Sequence, residues 1–191
     1  MDADPVEIRV LGCLIEKQRT TPDTYPLSLN SLQHACNQST SRDPVVDYSE
    51  AEIRTAIERL SRRGWIRLAS GPGSRAAKYR HLFDEALSLD DAEISVLAVL
   101  MLRGPQTAAE LRQRTERLQA FEPGEVEETL ERLSSRELAE RIARRPGEKG
   151  ERFRHLLGEQ AEAEPAREAS DSLEERVARL EEEVARLRDR L

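Results

Sequence analysis

An internal repeat constrains the fold of this chain more than any other sequence feature. Three segments recur in the same order, at separations of 86, 73 and 74 residues. They are residues 7–14 with 93–100, 57–61 with 130–134, and 79–83 with 153–157. Most of the change in separation comes from a longer loop in the first copy, which contains Asp43-Pro44. Because the order is kept, we interpret the chain as one structural unit present twice and followed by a tail.

Each copy has the pattern of three helices followed by a β-hairpin. In the first copy, helical spacing ends before Thr20, a second helix spans about residues 28–37, and a third begins near Ser49 with Glu52 as a capping-box partner. The third helix should bury one stripe: Ile53, Ala56, Ile57 and Leu60. Two strand-like runs, residues 65–69 and 78–83, then flank a Gly-Pro-Gly turn. In the second copy we expect helices near 90–102, 107–118 and 124–135, and a hairpin around Pro146-Gly147.

Three helices and a hairpin are the element order of a winged helix. We therefore predict a mainly α fold with small β-hairpins (α+β), built from two tandem winged-helix domains and a C-terminal coiled-coil helix. The expected boundaries are 1–86 for the first domain, 87–158 for the second, 159–171 for a flexible linker and 172–191 for the coiled-coil helix.

The tail has a heptad pattern with valine at a and leucine at d, a combination that favours two parallel strands. Arg176 and Glu183 at g would face Glu181 and Arg188 at e of a second copy, and both pairs are attractive. The sequence thus predicts a homodimer through residues 172–191. The alternative is a tail helix folded against its own domain, because three heptads are marginal alone.

The net charge is −7, but it is unevenly distributed along the chain. Residues 1–86 hold twelve basic and twelve acidic side chains, whereas the second copy and the tail carry the excess acid. No acidic residue occurs from Arg59 to Arg80, a segment with seven positive charges. An acidic protein is not expected to coat nucleic acid, but a local basic segment of this kind can still bind phosphates.

This distribution makes duplex DNA a possible partner of the first copy, with the third helix in the major groove and the hairpin on the backbone. The candidate DNA-binding residues are Arg54, Thr55, Arg59, Arg62, Arg63, Arg75 and Lys78. The alternative is that these arginines form an ordinary solvated face paired with nearby acids. A DNA-binding role would make the protein a regulator.

The corresponding helix of the second copy carries glutamate where the first has Arg54, Thr55 and Glu58, and it would repel phosphate. A protein partner suits this domain better. The second hypothesis is therefore a non-enzymatic adaptor or scaffold subunit that reads no DNA.

The sequence contains no pattern typical of an enzyme or a metal site. The three histidines and two cysteines lack zinc-ligand spacing, and Cys13 is expected to be a core residue. We expect no catalytic residues, no metal and no cofactor. No apolar run approaches the roughly 20 residues of a membrane helix, and the acidic first residues are unlike a secretory signal. A cytoplasmic protein without membrane contact is the expectation.

Several motifs resemble the YceH family, a bacterial group of uncharacterised function. They are Thr21-Pro22-Asp23, residues 25–30, Ala35-Cys36-Asn37-Gln38, Arg42-Asp43-Pro44-Val45, a Gly-rich turn ending at Lys78-Tyr79, and residues 103–112. The likeness covers nearly the whole chain and implies tandem winged helices, without an assigned activity. Where the family usually has lysine after Asn-Gln, this chain has Ser39, which removes one potential phosphate contact.

Overall fold

The two copies form the same series of elements, which together make an α+β fold. A computed structural model describes residues 2–70, 76–143 and 150–159. The first copy consists of α1 (Pro5–Thr20), β1 (Leu27–Ser28), α2 (Leu29–Asn37), α3 (Glu50–Arg62), β2 (Ile66–Leu68) and β3 (Lys78–His81). A short helix, α4 (Phe83–Leu87), leads to the second copy. That copy consists of α5 (Asp91–Arg103), β4 (Gln106–Thr107), α6 (Ala108–Thr115), α7 (Glu125–Ser135), β5 (Ala139–Ile142) and β6 (Arg152–His155).

Each copy closes with a three-stranded antiparallel sheet of the same topology. The strand orders are β1-β3-β2 and β4-β6-β5, so the last strand of each copy lies in the middle. The repeat seen in the sequence is therefore also a repeat of strand pairing.

Capping boxes set the beginnings of the main helices. The Ser49 side chain accepts from the Glu52 backbone N–H, and the Ser49 backbone N–H donates to the Glu52 carboxylate, as the sequence predicts. The same device begins α1 at Asp4, α5 at Asp90 and α6 at Thr107. The predicted stripe of α3 is buried, so its opposite face is exposed.

The two copies share one hydrophobic core, and α5 is its central helix. Every residue of α5 from Ala92 to Leu102 is buried, so this helix is covered on all sides. α1 packs directly against it at Gly12, where an added Cβ would lie 3.0 Å from Leu102 Cδ2. A glycine at this crossing lets the two helix backbones approach closely.

Four short elements were not predicted: a 3-10 helix (Pro22–Thr24), β1, β4 and α4. β1 and β4 have two residues each, too few for alternation of apolar and polar side chains to show. The predicted strand 78–83 is wrong at its end, because the chain leaves the sheet after His81 and Phe83 begins α4. Phe83 is buried there with its ring at 5.0 Å from Trp65, edge to face. The predicted linker, the coiled coil and both hairpin turns lie outside the described residues.

Candidate nucleic-acid interface

The outer face of the first hairpin, which we define as Arg67, Lys78 and Arg80, carries three cations. Side chains alternate between the two faces of a strand, and Arg67 is paired with Arg80 in the register of β2 and β3. Ile66 and His81, the neighbouring pair, are buried and therefore mark the inner face. Lys78 lies two residues before Arg80 and so shares its face. Two arginines thus stand directly opposite each other, and Arg80 also donates from Nη2 to Glu85 Oε1 of α4 at 3.0 Å.

The second hairpin has the same register but a different charge pattern. Glu140 in β5 is paired with Arg154 in β6, at the position that Arg67 and Arg80 occupy in the first hairpin. Arg154 Nε donates to Glu140 Oε1 at 2.5 Å. Arg141 on the same strand is also neutralised, by Glu151 at 3.0 Å. The outer face of the second hairpin thus carries an ion pair where the first has two arginines, and Arg141, which alternation places on the other face, is paired as well.

Arg54 and Thr55, two candidates on α3, bond within their own helix. Arg54 Nη2 lies 2.6 Å from Glu50 Oε1, one turn earlier, rather than pairing with Glu58. The Thr55 hydroxyl donates to the Ala51 carbonyl at 3.0 Å. Both side chains are exposed, Arg54 is partly neutralised by Glu50, and the Thr55 hydroxyl has its donor engaged.

Arg59 and Arg63 contact the beginning of the chain. Arg59 Nη1 lies 2.5 Å from Asp4 Oδ2, and Arg63 Nη2 donates to the Asp2 carbonyl at 2.7 Å. Arg63 also lies 3.5 Å from the buried carboxylate of Glu7. The segment from Arg59 to Arg80 contains no acidic residue, but acids from α1 and its N-terminal cap contact it in the folded chain.

Arg62 and Lys78 are the candidates that remain available. Both are exposed, and the charged group of neither makes an ion pair or hydrogen bond with any residue in the described ranges. Arg67, which the candidate set omitted, is likewise exposed and unpaired among the described residues. The sequence could have indicated Arg67, because a hairpin closed by the Gly-Pro-Gly turn places Arg67 opposite Arg80. Arg75 lies outside the described residues.

The exposed face of α7 has the opposite charge. Glu127, Glu128 and Glu131 are exposed there, at the positions of Arg54, Thr55 and Glu58 in α3. Negative charges repel phosphate strongly at short range, so this face of α7 is unfavourable for contact with a nucleic-acid backbone.

A buried arginine fixes the loop that leads into α3. Arg42 is fully buried at its side chain and contacts Glu16 of α1 at 2.6 Å. It also donates to the Ala35 carbonyl at 3.1 Å, next to Cys36. Burial alone would raise the pKa of Glu16, but the hydrogen bonds and charge of Arg42 outweigh it and hold that pKa below its usual value. Sequence analysis missed this cluster, because its members are 26 residues apart.

The two cysteines lie in the same buried region. Cys13 is buried, as predicted, and its thiol donates to the Ala35 carbonyl at 3.3 Å. Burial raises the pKa of this thiol, but the contact with Cys36 and the charge of Arg42 outweigh it, so the pKa lies below its usual value. Within residues 2–70, 76–143 and 150–159, no group of three or more His, Cys, Asp or Glu side chains could hold a metal ion.

No helix among the described residues has the length and apolar composition needed to cross a bilayer.

Comparison with known proteins shows relatives over almost the full length of the chain. A UPF0502 protein of Serratia proteamaculans (strain 568) is 46% identical, over 97% of this chain and 92% of its own. A UPF0502 protein of Pectobacterium atrosepticum is 44% identical over 98% of this chain and 95% of its own, and one of Geotalea uraniireducens is 45% identical over 98% and 91%. These matches confirm the resemblance to an uncharacterised bacterial family. Residues 3–148 also match the family model described as "Protein of unknown function, DUF480", and the chain therefore belongs to that family.

Proposed function

We propose that this protein binds duplex DNA through α3 and the β2–β3 hairpin of its first copy, each copy being a winged helix. In this arrangement α3 enters the major groove and the outer face of the first hairpin contacts phosphates. Arg62, Arg67 and Lys78 make the first contacts, because they need break no bond with the described residues.

The Arg67–Arg80 pair is the observation that carries the proposal. Like charges directly opposite each other destabilise a hairpin, and the second copy avoids that cost with Glu140 and Arg154 at the same positions. In the first copy Glu85 of α4 pairs with Arg80, and Arg67 keeps no partner among the described residues. Two facing guanidinium groups are favourable when a polyanion lies between or across them. The first hairpin therefore has the charge pattern of a binding surface, and the second has that of a structural one.

The remaining parts of the proposal follow from the sequence. A parallel coiled coil of residues 172–191 would present two copies of the surface, as dimeric regulators do on symmetric sites. A cytoplasmic, non-enzymatic regulator is the role that we propose.

The test is fluorescence anisotropy of a labelled duplex of mixed sequence, titrated with the full-length protein at about 50 and 200 mM salt. We expect salt-dependent binding by the wild type. Arg67→Glu removes one phosphate contact and adds a repulsive charge, so we expect affinity to fall about tenfold or more and the salt dependence to weaken.

Arg141→Glu is the matched control, because it makes the same charge change on the second hairpin. It should leave DNA affinity nearly unchanged. Absence of binding to any duplex at low salt, or equal losses in both variants, would refute the proposal.

A second candidate, a protein-interaction adaptor, is favoured by the exposed acidic face of α7. Glu127, Glu128 and Glu131 would suit a basic partner surface. Because α5 of the second copy packs against α1 of the first, the full chain should be used. A stoichiometric partner captured by the wild type and lost on Glu128→Lys, with no DNA binding by the same preparation, would support this function.

A further inference from the structure

A small cavity lies where α1, α5 and α6 end, between the two copies, and it is separate from the outer face of the first hairpin. Its volume is about 50 Å³. A cavity of this size has room for several water molecules, or about one tetrahedral oxyanion. Its polar lining comes from four places in the chain: Glu16 and Thr20 of α1, Ser41 of the loop before α3, Arg103 of α5, and Arg114 and Arg117 of α6 and its extension.

The three arginines give the cavity an excess of positive charge. Glu16, the acidic residue of this lining, is already bound to Arg42 through both carboxylate oxygens, at 3.2 and 2.6 Å. Arg114 has a 3.6 Å contact with Glu110 on the outer side of α6. The guanidinium groups of Arg103 and Arg117 make no ion pair or hydrogen bond with any residue that the structure describes.

Arg103 is half-buried as well as unpaired. Burial lowers the pKa of Arg103, and the like charge of Arg114 lowers it further. The carboxylates of Glu16 and Asp43 offset only part of this effect. Partial burial of a guanidinium without a hydrogen-bond partner costs free energy, and a bound anion would recover that cost.

The ends of three helices account for part of this charge, because cations favour helix C-termini. That effect does not use the N–H donors of Arg103 and Arg117, however, since neither residue donates to a helix carbonyl within the described ranges. Guanidinium groups with free donors match phosphate oxygens in geometry and charge. Ser41 adds a hydroxyl at the same wall.

We propose that this cavity is a binding site for a single phosphate group, held by Arg103 and Arg117 with Arg114 beside them. The ligand is an inorganic phosphate ion or the terminal phosphate of a small metabolite. Such a ligand would bridge α1 of the first copy and α5 and α6 of the second.

Inorganic phosphate is the probe for the test, with the full-length protein in sodium chloride of equal ionic strength as the reference. We expect saturable binding by calorimetry and a rise in melting temperature beyond that in chloride. Arg103→Gln and Arg117→Gln should each weaken binding about tenfold. The second variant alters an exposed side chain, so it remains informative if Arg103→Gln fails to fold.

Two control variants separate this site from other surfaces. Arg112→Gln removes an exposed arginine on α6 that does not line the cavity, and it should leave phosphate binding unchanged. Arg67→Glu should also leave it unchanged, whatever that variant does to DNA binding. The proposal is overturned if phosphate stabilises the protein no more than chloride does, or if all four variants weaken phosphate binding equally. It is also overturned if Arg67→Glu weakens phosphate binding and the cavity variants do not. The ligand is a phosphorylated metabolite, not the free ion, if such a metabolite binds more tightly than inorganic phosphate and Arg117→Gln weakens its binding.

Discussion

Gly12 of α1 lies directly against Leu102 of α5, and this contact joins the two copies of the repeat. A Cβ at Gly12 would lie 3.0 Å from both Leu102 Cδ2 and Cγ, and 3.2 Å from Met101 Cβ. The last of these atoms is next to the backbone and cannot move away independently. The space at this helix crossing is therefore filled.

Gly12→Val should destabilise the protein, because a branched side chain overpacks this crossing. We expect a loss of about 1–3 kcal/mol in the free energy of unfolding, measured by urea denaturation. Gly64→Val is not a suitable control, because Gly64 has a φ of +74°. Ala51→Val, on the exposed face of α3, is a better one and should cost less than about 1 kcal/mol. Equal effects of the two changes would show that α1 and α5 do not meet as described.

Charge reversal in the first hairpin should improve its stability while weakening any binding of phosphate. Arg67→Glu would place an acid opposite Arg80, as Glu140 is placed opposite Arg154. We expect the free energy of unfolding to stay equal or rise by up to about 1 kcal/mol.

The reciprocal change, Glu140→Arg, should lower stability by a similar amount, because it creates a like-charged pair. Urea denaturation at low salt measures both effects. The stated charge pattern is contradicted if Arg67→Glu is clearly the less stable variant of the two.

Removal of Arg42 should be among the most damaging substitutions of a charged residue. Arg42→Met removes the guanidinium that binds both oxygens of Glu16, and it frees the loop before α3. The Glu16 side chain is 13% exposed and keeps only a 3.6 Å contact with Lys17. We expect a cost of about 3–5 kcal/mol in the free energy of unfolding.

Arg19→Met is the control for Arg42, because its partner Asp91 is 81% exposed. An exposed pair of this kind contributes about 0–1 kcal/mol. A similar small cost for both variants would argue against a structural role for the buried pair.

Acid should destabilise the protein through its buried histidines. Burial lowers the pKa of His155 to about 4, and the charge of Arg154 acts in the same direction. Above about pH 6.5 the histidine is neutral in both the folded and the unfolded chain. As the pH falls toward 4, the unfolded chain binds a proton that the folded chain does not, so stability is lost. At pH 5 the loss is about 2 kcal/mol for this residue.

Comparison of His155→Gln with His34→Gln isolates this effect, because His34 is exposed. Between pH 7.5 and 5, the His155 variant should lose about 2 kcal/mol less unfolding free energy than wild type. The His34 variant should follow the wild type. The attribution to His155 fails if the two variants have the same pH dependence.

The sequence predicted the helices well because their signals are local. The stripe from Ile53 to Leu60 and the cap at Ser49 require only neighbours within one or two turns, and both are present. β1, β4 and α4 were missed because they are short and depend on partners far along the chain.

Local sequence patterns predicted the repeat, the positions of the main helices, the buried face of α3 and the place where basic residues collect, although α6 ends at Thr115 and not near 118. Tertiary contacts determine which of those basic residues are available. Arg59 is neutralised by Asp4, which is 55 residues away in sequence, whereas Arg62, Arg67 and Lys78 have no such partner among the described residues. Hydrophobic periodicity is a property of consecutive residues, but an ion pair depends on a distance of a few ångströms in space. The chain fixes that distance only when both copies fold together.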